Sequence, residues 1–440
     1  MNYTPVIGLE VHVELKTKSK MFCGCSADYF GKEPNTHTCP VCLGLPGALP
    51  VPNKKAIEWC VMIGLALNCT TPLFSKFDRK NYFYPDLPKG YQISQYDQPL
   101  CINGFITLSN GKKIRIRRVH MEEDTGKLTH VGNESLIDFN RSGVPLVEIV
   151  TEPDFESSIE VVEYLKKLQQ IVRFLGVSNA DMEKGDMRLE PNISLKMTNE
   201  LPKYKVEVKN INSFRFVGKA IEYEIKRQTE ILDRGDMPEQ ETRGWNDEKN
   251  ITVSQRSKEE AHDYRYFPEP DLPPIRFTED QISDIRNRIP ELPDEKLARF
   301  QKEYQLNKSQ AVILTETKEI ADYFEKTVKP GKVDPIQIAN YIINKKIDIN
   351  KVSSEEVIAQ VAGKTSGIIA DEGELGKLVK EAIDENPKAV ADFKSGKENA
   401  LQVLIGAVMK KTAGKADAEK ARKILTKLLK RGLFPAFKVR

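Results

Sequence analysis

The chain has 440 residues, of which 30% are charged and 40% hydrophobic, and its formal net charge is +3. This length exceeds what one hydrophobic core normally serves, so two or three domains are expected. The longest apolar run, residues 59–67, falls far short of the roughly 20 residues that a membrane-spanning helix needs. The first residues lack the basic region and apolar stretch of a signal peptide, so we expect a soluble, cytoplasmic protein.

The charge is unevenly distributed along the chain. Residues 410–440, here called the basic tail, contain 11 Lys or Arg and 2 acids, giving +9, so the remainder carries −6 of the total +3. A basic end on an acidic body suggests polyanion binding at one end and chemistry elsewhere. A helix face kept soluble by its lysines is the alternative interpretation of the tail alone.

The order of the predicted elements favours a mixed α+β region followed by a helical one. Alternating polarity predicts strands at residues 8–15, 113–120, 137–139 and 205–209, and helical spacing predicts helices at 54–68, 157–175 and 216–232. A proline-rich segment at 268–274 follows and is expected to mark the domain edge. Six further helices are predicted at 294–304, 318–326, 335–343, 374–384, 398–412 and 417–430.

Four of the seven cysteines form a cluster in the sequence. Cys23 and Cys25 form one Cys-x-Cys pair, and Cys39 and Cys42 form a Cys-x-x-Cys pair about a dozen residues later. Such spacing is typical of a tetrahedral Zn²⁺ site, and four thiolates leave no open position, which indicates a structural metal. Free or redox-active thiols are the alternative, and His37 is a possible substitute ligand. The other three cysteines are expected to be buried thiols.

Carboxylates beside basic side chains recur on the predicted strands. Period two places Glu10, His12 and Glu14 on one face of the first strand, with apolar residues on the other. Three further groups share this theme: Glu122 with Glu123 just after a strand, Arg188 with Glu190 and Asn192, and Glu207 with Lys209. Each group alone is more often a solvated strand face. Together they suit Mg²⁺ and the positioned charges that phosphoryl transfer needs.

Known nucleotide-binding motifs are missing from the sequence. The segment 363–366 imitates the end of a Walker A motif, but Ile358 occupies the position of its first glycine. We also find no dinucleotide fingerprint, kinase catalytic loop, amidase-type serine motif or Cys/His/Asp hydrolase set. The chain could therefore activate a carboxylate with ATP, but it shows no means of making ammonia.

Several long segments of the sequence resemble one family. They include IGLEVHVEL at 7–15, HMEEDTGK at 120–127 and DYRYFPEPDLP at 263–273, with further blocks at 38–47, 77–97, 138–154 and 207–214. The resemblance is to the B subunit of the aspartyl/glutamyl-tRNA(Asn/Gln) amidotransferases. It runs almost unbroken from residue 5 to about residue 275.

The resemblance implies an α+β fold with three parts. A cradle-like mixed-sheet catalytic domain spans residues 1–290 with its zinc knuckle at 23–42, a helical domain spans 291–365, and a small YqeY-like tail domain spans 366–440. It implies ATP- and Mg²⁺-dependent phosphorylation of the side-chain carboxylate of Glu-tRNA(Gln) or Asp-tRNA(Asn). A partner amidase, the A subunit, would supply ammonia from glutamine, and a small C subunit would brace the pair.

The resemblance also implies roles for individual residues. His12 and Glu123, with Glu10 beside them, are the expected Mg²⁺ site. A second cation site is expected at Glu122, Glu190 and Glu207, with Glu183 as a further candidate. Lys80 and Lys89 are candidates for phosphate contact or for the mouth of an ammonia tunnel, with surface charge as the alternative, and Arg188 is expected to bind the cofactor.

The sequence departs from the family pattern in two places. Glu190 and Asn192 flank a proline where the family often has Asp-Ala-Asn, so the carboxylate reaches one methylene further. The helical domain between about 325 and 375 is expected to be shorter than usual.

Two functions from other classes compete with the amidotransferase hypothesis. One is a zinc-stabilised tRNA-binding module without catalysis, and the clustered acids beside a polyanion argue against it. The other is a free-standing ligase for a small acid, which would leave the basic tail without a purpose.

Overall fold

The structure is a computed structural model, and it describes residues 3–198, 200–257, 264–365, 372–397, 399–412 and 416–430. The chain divides into two compact units, Met1–Lys296 and Leu297–Arg440. Within the described ranges, no helix is both long and apolar enough to cross a membrane.

The first unit contains the strands of the described chain. They are β1 (Thr4–Glu14), β2 (Phe74–Ser75), β3 (Asp78–Asn81), β4 (Tyr91–Ser94), β5 (Cys101–Thr107), β6 (Lys113–Glu123), β7 (Lys127–Val131), β8 (Glu134–Asp138), β9 (Pro145–Thr151), β10 (Met187–Lys196), β11 (Val206–Lys209), β12 (Glu241–Asn246), β13 (Ile251–Ser257), β14 (Phe267–Pro268) and β15 (Ile275–Arg276). Its helices are α1 (Lys54–Ala66), α2 (Ser158–Phe174), α3 (Phe214–Asp233) and α4 (Glu279–Asn287).

Eight of these strands form one sheet in the order β13-β12-β11-β10-β1-β9-β6-β5. Neighbouring strands are antiparallel except β11 and β12, which are parallel, so the sheet is mixed. Strand β1 lies in the middle, paired with β10 on one side and β9 on the other. The strands and helices together confirm the predicted α+β class.

Apolar side chains of the central strands pack with the helices in one hydrophobic core. Leu9, Val11 and Val13 of β1 are at most 1% exposed and belong to the same cluster as Tyr164 and Leu168 of α2. Both α2 and α3 begin at a serine whose hydroxyl accepts a backbone N–H of the first turn, which fixes where each helix starts. The alternate residues of β1 are left to face the other side of the sheet.

The proline-rich segment at 268–274 does not mark the domain edge that the sequence predicts. Phe267–Pro268 pairs with β3 and Ile275–Arg276 pairs with β2, so this segment folds back onto the first unit. Proline is tolerated there because both are short flanking strands outside the large sheet.

The remaining helices are α5 (Pro293–Glu303), α6 (Lys308–Leu314), α7 (Lys318–Val328), α8 (Pro335–Lys345), α9 (Ser354–Thr365), α10 (Glu372–Glu385), α11 (Pro387–Lys394), α12 (Ala400–Lys411) and α13 (Ala418–Lys430). The division between the units falls inside α5. The segment that imitates a Walker A end lies in helix α9 up to residue 365, and Ser366 lies outside the described residues.

The helical unit contains two hydrophobic clusters. One comprises residues from Phe300 to Val361, and the other comprises residues from Leu375 to Leu429. Each lies within one of the two helical segments predicted from the sequence. The three-part division at 290 and 365 stays a prediction, because the chain as a whole divides only once.

Candidate active site

A cavity of ≈ 600 Å³ lies in the first unit, and we call it the acid cleft. Its walls include residues of β1, β6, β9, β10 and β11 of the large sheet and of β3 and β4 outside it. Five of the six predicted catalytic residues line it: Glu10, His12, Glu122, Glu190 and Glu207.

One group of candidate ligands in the cleft combines His12, Glu122 and Glu148. Strand pairing aligns His12 with Glu148, because β1 and β9 are neighbours. The His12 Nε2 lies 3.9 Å from Glu148 Oε2 and 4.0 Å from Glu122 Oε2. On the next strand, the buried His120 places Nε2 3.0 Å from Glu148 Oε2. One imidazole and two carboxylates therefore converge on a common point.

A second group combines Glu10, Glu190 and Glu207. Glu10 and Glu190 are aligned across the β1–β10 pair, and Glu207 follows on β11. The Lys209 Nζ lies 2.8 Å from Glu190 Oε2 and 3.6 Å from Glu207 Oε1, and Asn192 Nδ2 donates to Glu10 Oε1 at 3.1 Å. Both groups face one cleft because Glu10 and His12 are two residues apart on the same strand.

Fixed cations keep several of these acids ionised. Burial would raise the pKa of Glu122, but Lys80, whose Nζ is 3.7 Å away, and His120 outweigh it and lower the pKa to about 2. Burial is likewise outweighed at Glu148, where His120 holds the pKa well below its usual range, and at Glu190, where Lys209 lowers it. The acids are thus in the form that binds a cation.

The pKa of Glu10 is shifted in the opposite direction, above its usual value. Burial and the neighbouring carboxylates of Glu148, Glu190 and Glu207 raise its pKa. Crowded carboxylates of this kind repel each other, and a bound cation relieves that repulsion. The donor sets of both groups therefore fit a hard divalent cation such as Mg²⁺.

The predicted cofactor residues Lys80 and Arg188 also line the acid cleft. The Arg188 Nη2 lies 2.6 Å from Oδ2 of the buried Asp124, a residue that sequence reasoning missed. Asp124 follows two residues after Glu122, which places both on one side of the chain.

Glu123 and Lys89 are not brought to the acid cleft. Glu122 and Glu123 are the last two residues of β6, whereas the sequence places them after a strand, and successive strand residues point to opposite faces. The Glu123 Oε1 lies 2.6 Å from Lys89 Nζ and accepts the Ile93 N–H at 2.9 Å. The expected pairing of His12 with Glu123 thus differs from the structure, in which Glu122 and Glu148 lie beside His12.

Lys89 and Glu123 instead line a smaller cavity of ≈ 210 Å³ that also includes Cys23 and Cys42. Gln92, which lines the acid cleft, contacts both glutamates: its Nε2 donates to Glu122 Oε2 at 3.1 Å and to the Glu123 carbonyl at 2.7 Å. Two further expectations also differ. Glu183 lies exposed outside the acid cleft, and Glu14 is buried and accepts a hydrogen bond from Tyr29.

The four cysteines of the predicted knuckle come together. The four sulfur atoms all lie within 4.8 Å of one another, and each belongs to a free cysteine: Cys23, Cys25, Cys39 and Cys42. A hydrogen bond from the Cys23 thiol lowers the pKa of Cys42 to about 4, which favours the thiolate. His37 is not part of this group in the described chain. The arrangement can hold a structural metal.

Some residues of the cleft were not predicted. Glu148 is the one charged residue in the strand Pro145–Thr151, and a lone charge among buried apolar residues was the available signal. Tyr82, Tyr96, Tyr264 and Tyr266 form an aromatic wall in which Tyr96 and Tyr266 stack at 4.3 Å. Their positions depend on β3, β4 and a later segment meeting in space, which no local pattern indicates.

Comparisons with known proteins identify the family. Residues 5–283 match the GatB/GatE catalytic domain, and residues 308–429 match the GatB domain. The chain is 49% identical over 472 residues to the B subunit of the aspartyl/glutamyl-tRNA(Asn/Gln) amidotransferase of Caldanaerobacter subterraneus subsp. tengcongensis, covering 97% of this chain and 99% of that relative.

Other relatives carry the same name. The B subunit of Thermotoga maritima is 47% identical over 480 residues (98% of this chain, 99% of the relative), and that of Persephonella marina is 48% identical over 476 residues (98% and 100%). The resemblance stated from the sequence is thereby confirmed. The chain belongs to the family of the B subunits of aspartyl/glutamyl-tRNA(Asn/Gln) amidotransferases.

Proposed function

We propose that this chain activates the side-chain carboxylate of Glu-tRNA(Gln) or Asp-tRNA(Asn) with ATP, and that ammonia then converts the activated group to the amide. The observation that carries this proposal is the acid cleft, which contains two groups of hard ligands, with Lys80 beside one group and Lys209 beside the other. The names of the relatives supply the substrate class.

The two acidic groups are the proposed cation sites. His12, Glu122 and Glu148 would hold one Mg²⁺, and Glu10, Glu190 and Glu207 would hold a second cation. Mg²⁺ held by these residues would supply the positive charge that offsets the negative charge developing during phosphoryl transfer.

The basic residues of the cleft position the reactants in this proposal. A carboxylate oxygen of the aminoacyl group attacks the γ-phosphorus of ATP, ADP leaves, and ammonia then displaces phosphate from the acyl phosphate. Lys80 and Lys209 each pair with an acid of one group, and once those acids hold cations the two ammonium groups would contact phosphate oxygens of ATP. Arg188 is held by Asp124 and reaches the same cleft.

The smaller cavity is the proposed entry for ammonia. The Lys89–Glu123 ion pair lies on the reverse side of the strand that carries Glu122, so a small molecule passing this pair would arrive behind the acid cleft. Because the sequence contains no amidase-type serine motif, we propose that an amidase, the A subunit, supplies ammonia and that a small C subunit completes the assembly.

The four cysteines would hold a structural Zn²⁺, and the assembly would act in the cytoplasm.

The basic tail would contact tRNA phosphates. Helix α13 supports this contact, because Arg422, Lys423 and Lys427 are exposed on it while Leu425 and Leu429 are buried. Lys415, Arg431, Lys438 and Arg440 of the tail lie outside the described residues.

The test supplies the chain and its partner subunits with Mg²⁺, γ-labelled ATP and either Glu-tRNA(Gln) or Asp-tRNA(Asn). We expect labelled phosphate transfer that depends on the charged tRNA, followed by amide formation when glutamine is added. A Glu10→Gln, Glu190→Gln double variant should bind tRNA normally and transfer little phosphate, because it removes two anionic ligands of one group.

Two results would contradict the proposal in different ways. Bound tRNA without any phosphate transfer from the wild-type assembly would favour a zinc-stabilised binding module. Phosphate transfer to free glutamate or aspartate would favour a small-acid ligase.

A further inference from the structure

Lys20 is a fully buried lysine next to the four-cysteine cluster. It is 0% exposed, and in the described chain its ammonium has no carboxylate within ion-pair distance. Its Nζ lies 2.8 Å from the His37 carbonyl, 3.3 Å from the Phe139 carbonyl and 3.6 Å from Cys42 Sγ. A buried ammonium is costly unless a negative charge compensates it.

The cysteine cluster is the source of negative charge at this point. Four thiolates around one divalent metal ion carry a net negative charge, and Cys42 is the one whose sulfur Lys20 contacts. Cys42 Sγ also accepts the backbone N–H of Cys39 at 3.1 Å. The positive charge of Lys20 and the net negative charge of the metal–thiolate centre thus compensate each other.

Lys20 is held in this position by the backbone around it. Its own N–H donates to the Cys25 carbonyl at 2.9 Å, which ties it to the Cys-x-Cys pair. Gly143 passes beside its stem with a φ of +84°, and a side chain there would meet both Lys20 and Cys42. The backbone of Lys20 is thus bonded to one cysteine pair, and its ammonium is bonded to the chain just before the other.

We propose that Lys20 is the counter-charge of the metal–thiolate centre, a positioning residue that retains the metal and joins the knuckle to the chain before β9. This inference rests on the metal proposed for the four cysteines. Through the Phe139 carbonyl, Lys20 reaches the connection whose Arg141 lies 3.7 Å from Asp124, so the same contact braces one end of the acid cleft.

A charge role makes a prediction that a packing role does not. With metal bound, neutralising Lys20 leaves the thiolates uncompensated, so the metal-loaded form becomes less stable. Without metal the four sulfurs no longer carry the combined charge of the metal–thiolate centre, so neutralising Lys20 costs less stability. The substitution should therefore reduce the difference in melting temperature between metal-loaded and metal-free protein.

The test compares the full-length wild type with Lys20→Met and Lys20→Gln. The methionine is close in shape and carries no charge, and the glutamine keeps a donor for the two carbonyls if the methionine variant does not fold. Zn²⁺ content and the rate of Zn²⁺ release to a colorimetric chelator are measured, with melting temperatures before and after chelation. Outer-sphere partners of metal ligands typically change affinity by about 10- to 100-fold, so release should be faster by that order.

Lys18→Met is the matched control, because Lys18 is exposed two residues away and should release Zn²⁺ at the wild-type rate. Release from both Lys20 variants at the control rate would overturn the inference, and so would equal losses of melting temperature in the metal-loaded and metal-free forms. Wild-type protein with no Zn²⁺ at the cysteines would overturn the proposed metal first and this inference with it. Phosphate transfer is measured separately, so its failure is distinguishable from either result.

Discussion

Glu148 shows how single residues acquire a role in this protein. It is 5% exposed and stands between His12 and His120, each of which lies on a strand next to its own. Although burial opposes its charge, the two imidazoles keep it ionised, with its pKa well below the usual range. Glu148 is a stronger candidate ligand beside His12 than Glu123, because Glu123 lines the other cavity, 2.6 Å from Lys89.

Glu148→Gln is expected to reduce Mg²⁺-dependent phosphate transfer by about 10²- to 10³-fold, the usual loss when one preorganised electrostatic contact is removed. The substitution keeps the shape of the side chain but removes the charge between the two histidines. The measurement is single-turnover transfer of labelled γ-phosphate. Glu134→Gln, on the exposed hairpin strand β8, is the control, and equal rates in the two variants would exclude Glu148 as a ligand.

The double variant Lys89→Met, Glu123→Gln tests the proposed ammonia entry. It removes the ion pair without leaving a lone charge, and the new amide can still accept the Ile93 N–H. We expect phosphate transfer near the wild-type rate and glutamine-dependent amide formation reduced about tenfold, the size expected when one charged interaction is removed. Equal loss of both steps would place this pair in the phosphate chemistry instead.

At the scale of elements, strand register assembles the cleft. Glu10 faces Glu190 and His12 faces Glu148 because β1 pairs with β10 and β9 in fixed antiparallel registers. A slip of one residue would turn Glu10 and His12 into the core and Leu9 and Val11 into the cleft. Burial of the hydrophobic face of β1 therefore disfavours such a slip and keeps the acids in the cleft.

Helix α1 packs against β5 through a glycine, which gives an element-scale prediction. A side chain at Gly64 would overlap the Cys101 side chain, so Gly64→Ala should destabilise the protein by about 1–3 kcal/mol despite the better helix propensity of alanine. Gly218→Ala in α3 meets only Val162 Cγ2 at 3.7 Å and should stabilise by about 0.5–1 kcal/mol. Urea unfolding of both variants checks this, and the same sign for both would contradict the packing argument.

At the scale of the whole molecule, the proposed chemistry and the proposed polyanion binding fall in different units. The acid cleft belongs entirely to Met1–Lys296, and the basic tail belongs to Leu297–Arg440. The two units also correspond broadly to the two family matches, 5–283 and 308–429. Changes in the tail should therefore affect tRNA binding without altering the cleft.

Lys423→Glu with Lys427→Glu is expected to weaken tRNA binding and to reduce the slope of log K against log salt by about one for each phosphate interaction that is removed. Both lysines are exposed on α13, so the fold should persist. The measurement is tRNA affinity at several salt concentrations, alongside ATP affinity, which should not change. Lys54→Glu with Lys226→Glu, exposed on the first unit, is the charge-matched control, and equal weakening in both would return the tail to a solubility role.

Much of this organisation was predictable because its causes are local. Period-two alternation located β1 within a few residues, because apolar and polar residues alternate along the strand and give it one apolar and one polar face. The cysteine spacing predicted the cluster, because short loops bring such pairs together. Helices α4, α6, α9 and α11 were missed, because most of their residues are polar or their length is short.

By itself, the sequence determined the α+β class, the cysteine cluster, the resemblance to the family and four of the six acidic residues that line the cleft. Only the tertiary structure decided which of them meet. The partition of Glu122 and Glu123 between two cavities follows from β6 continuing through both, and the presence of Glu148 follows from β9 lying between β1 and β6. Pairing between strands that are distant in sequence is set by long-range packing, so a local sequence pattern does not predict it.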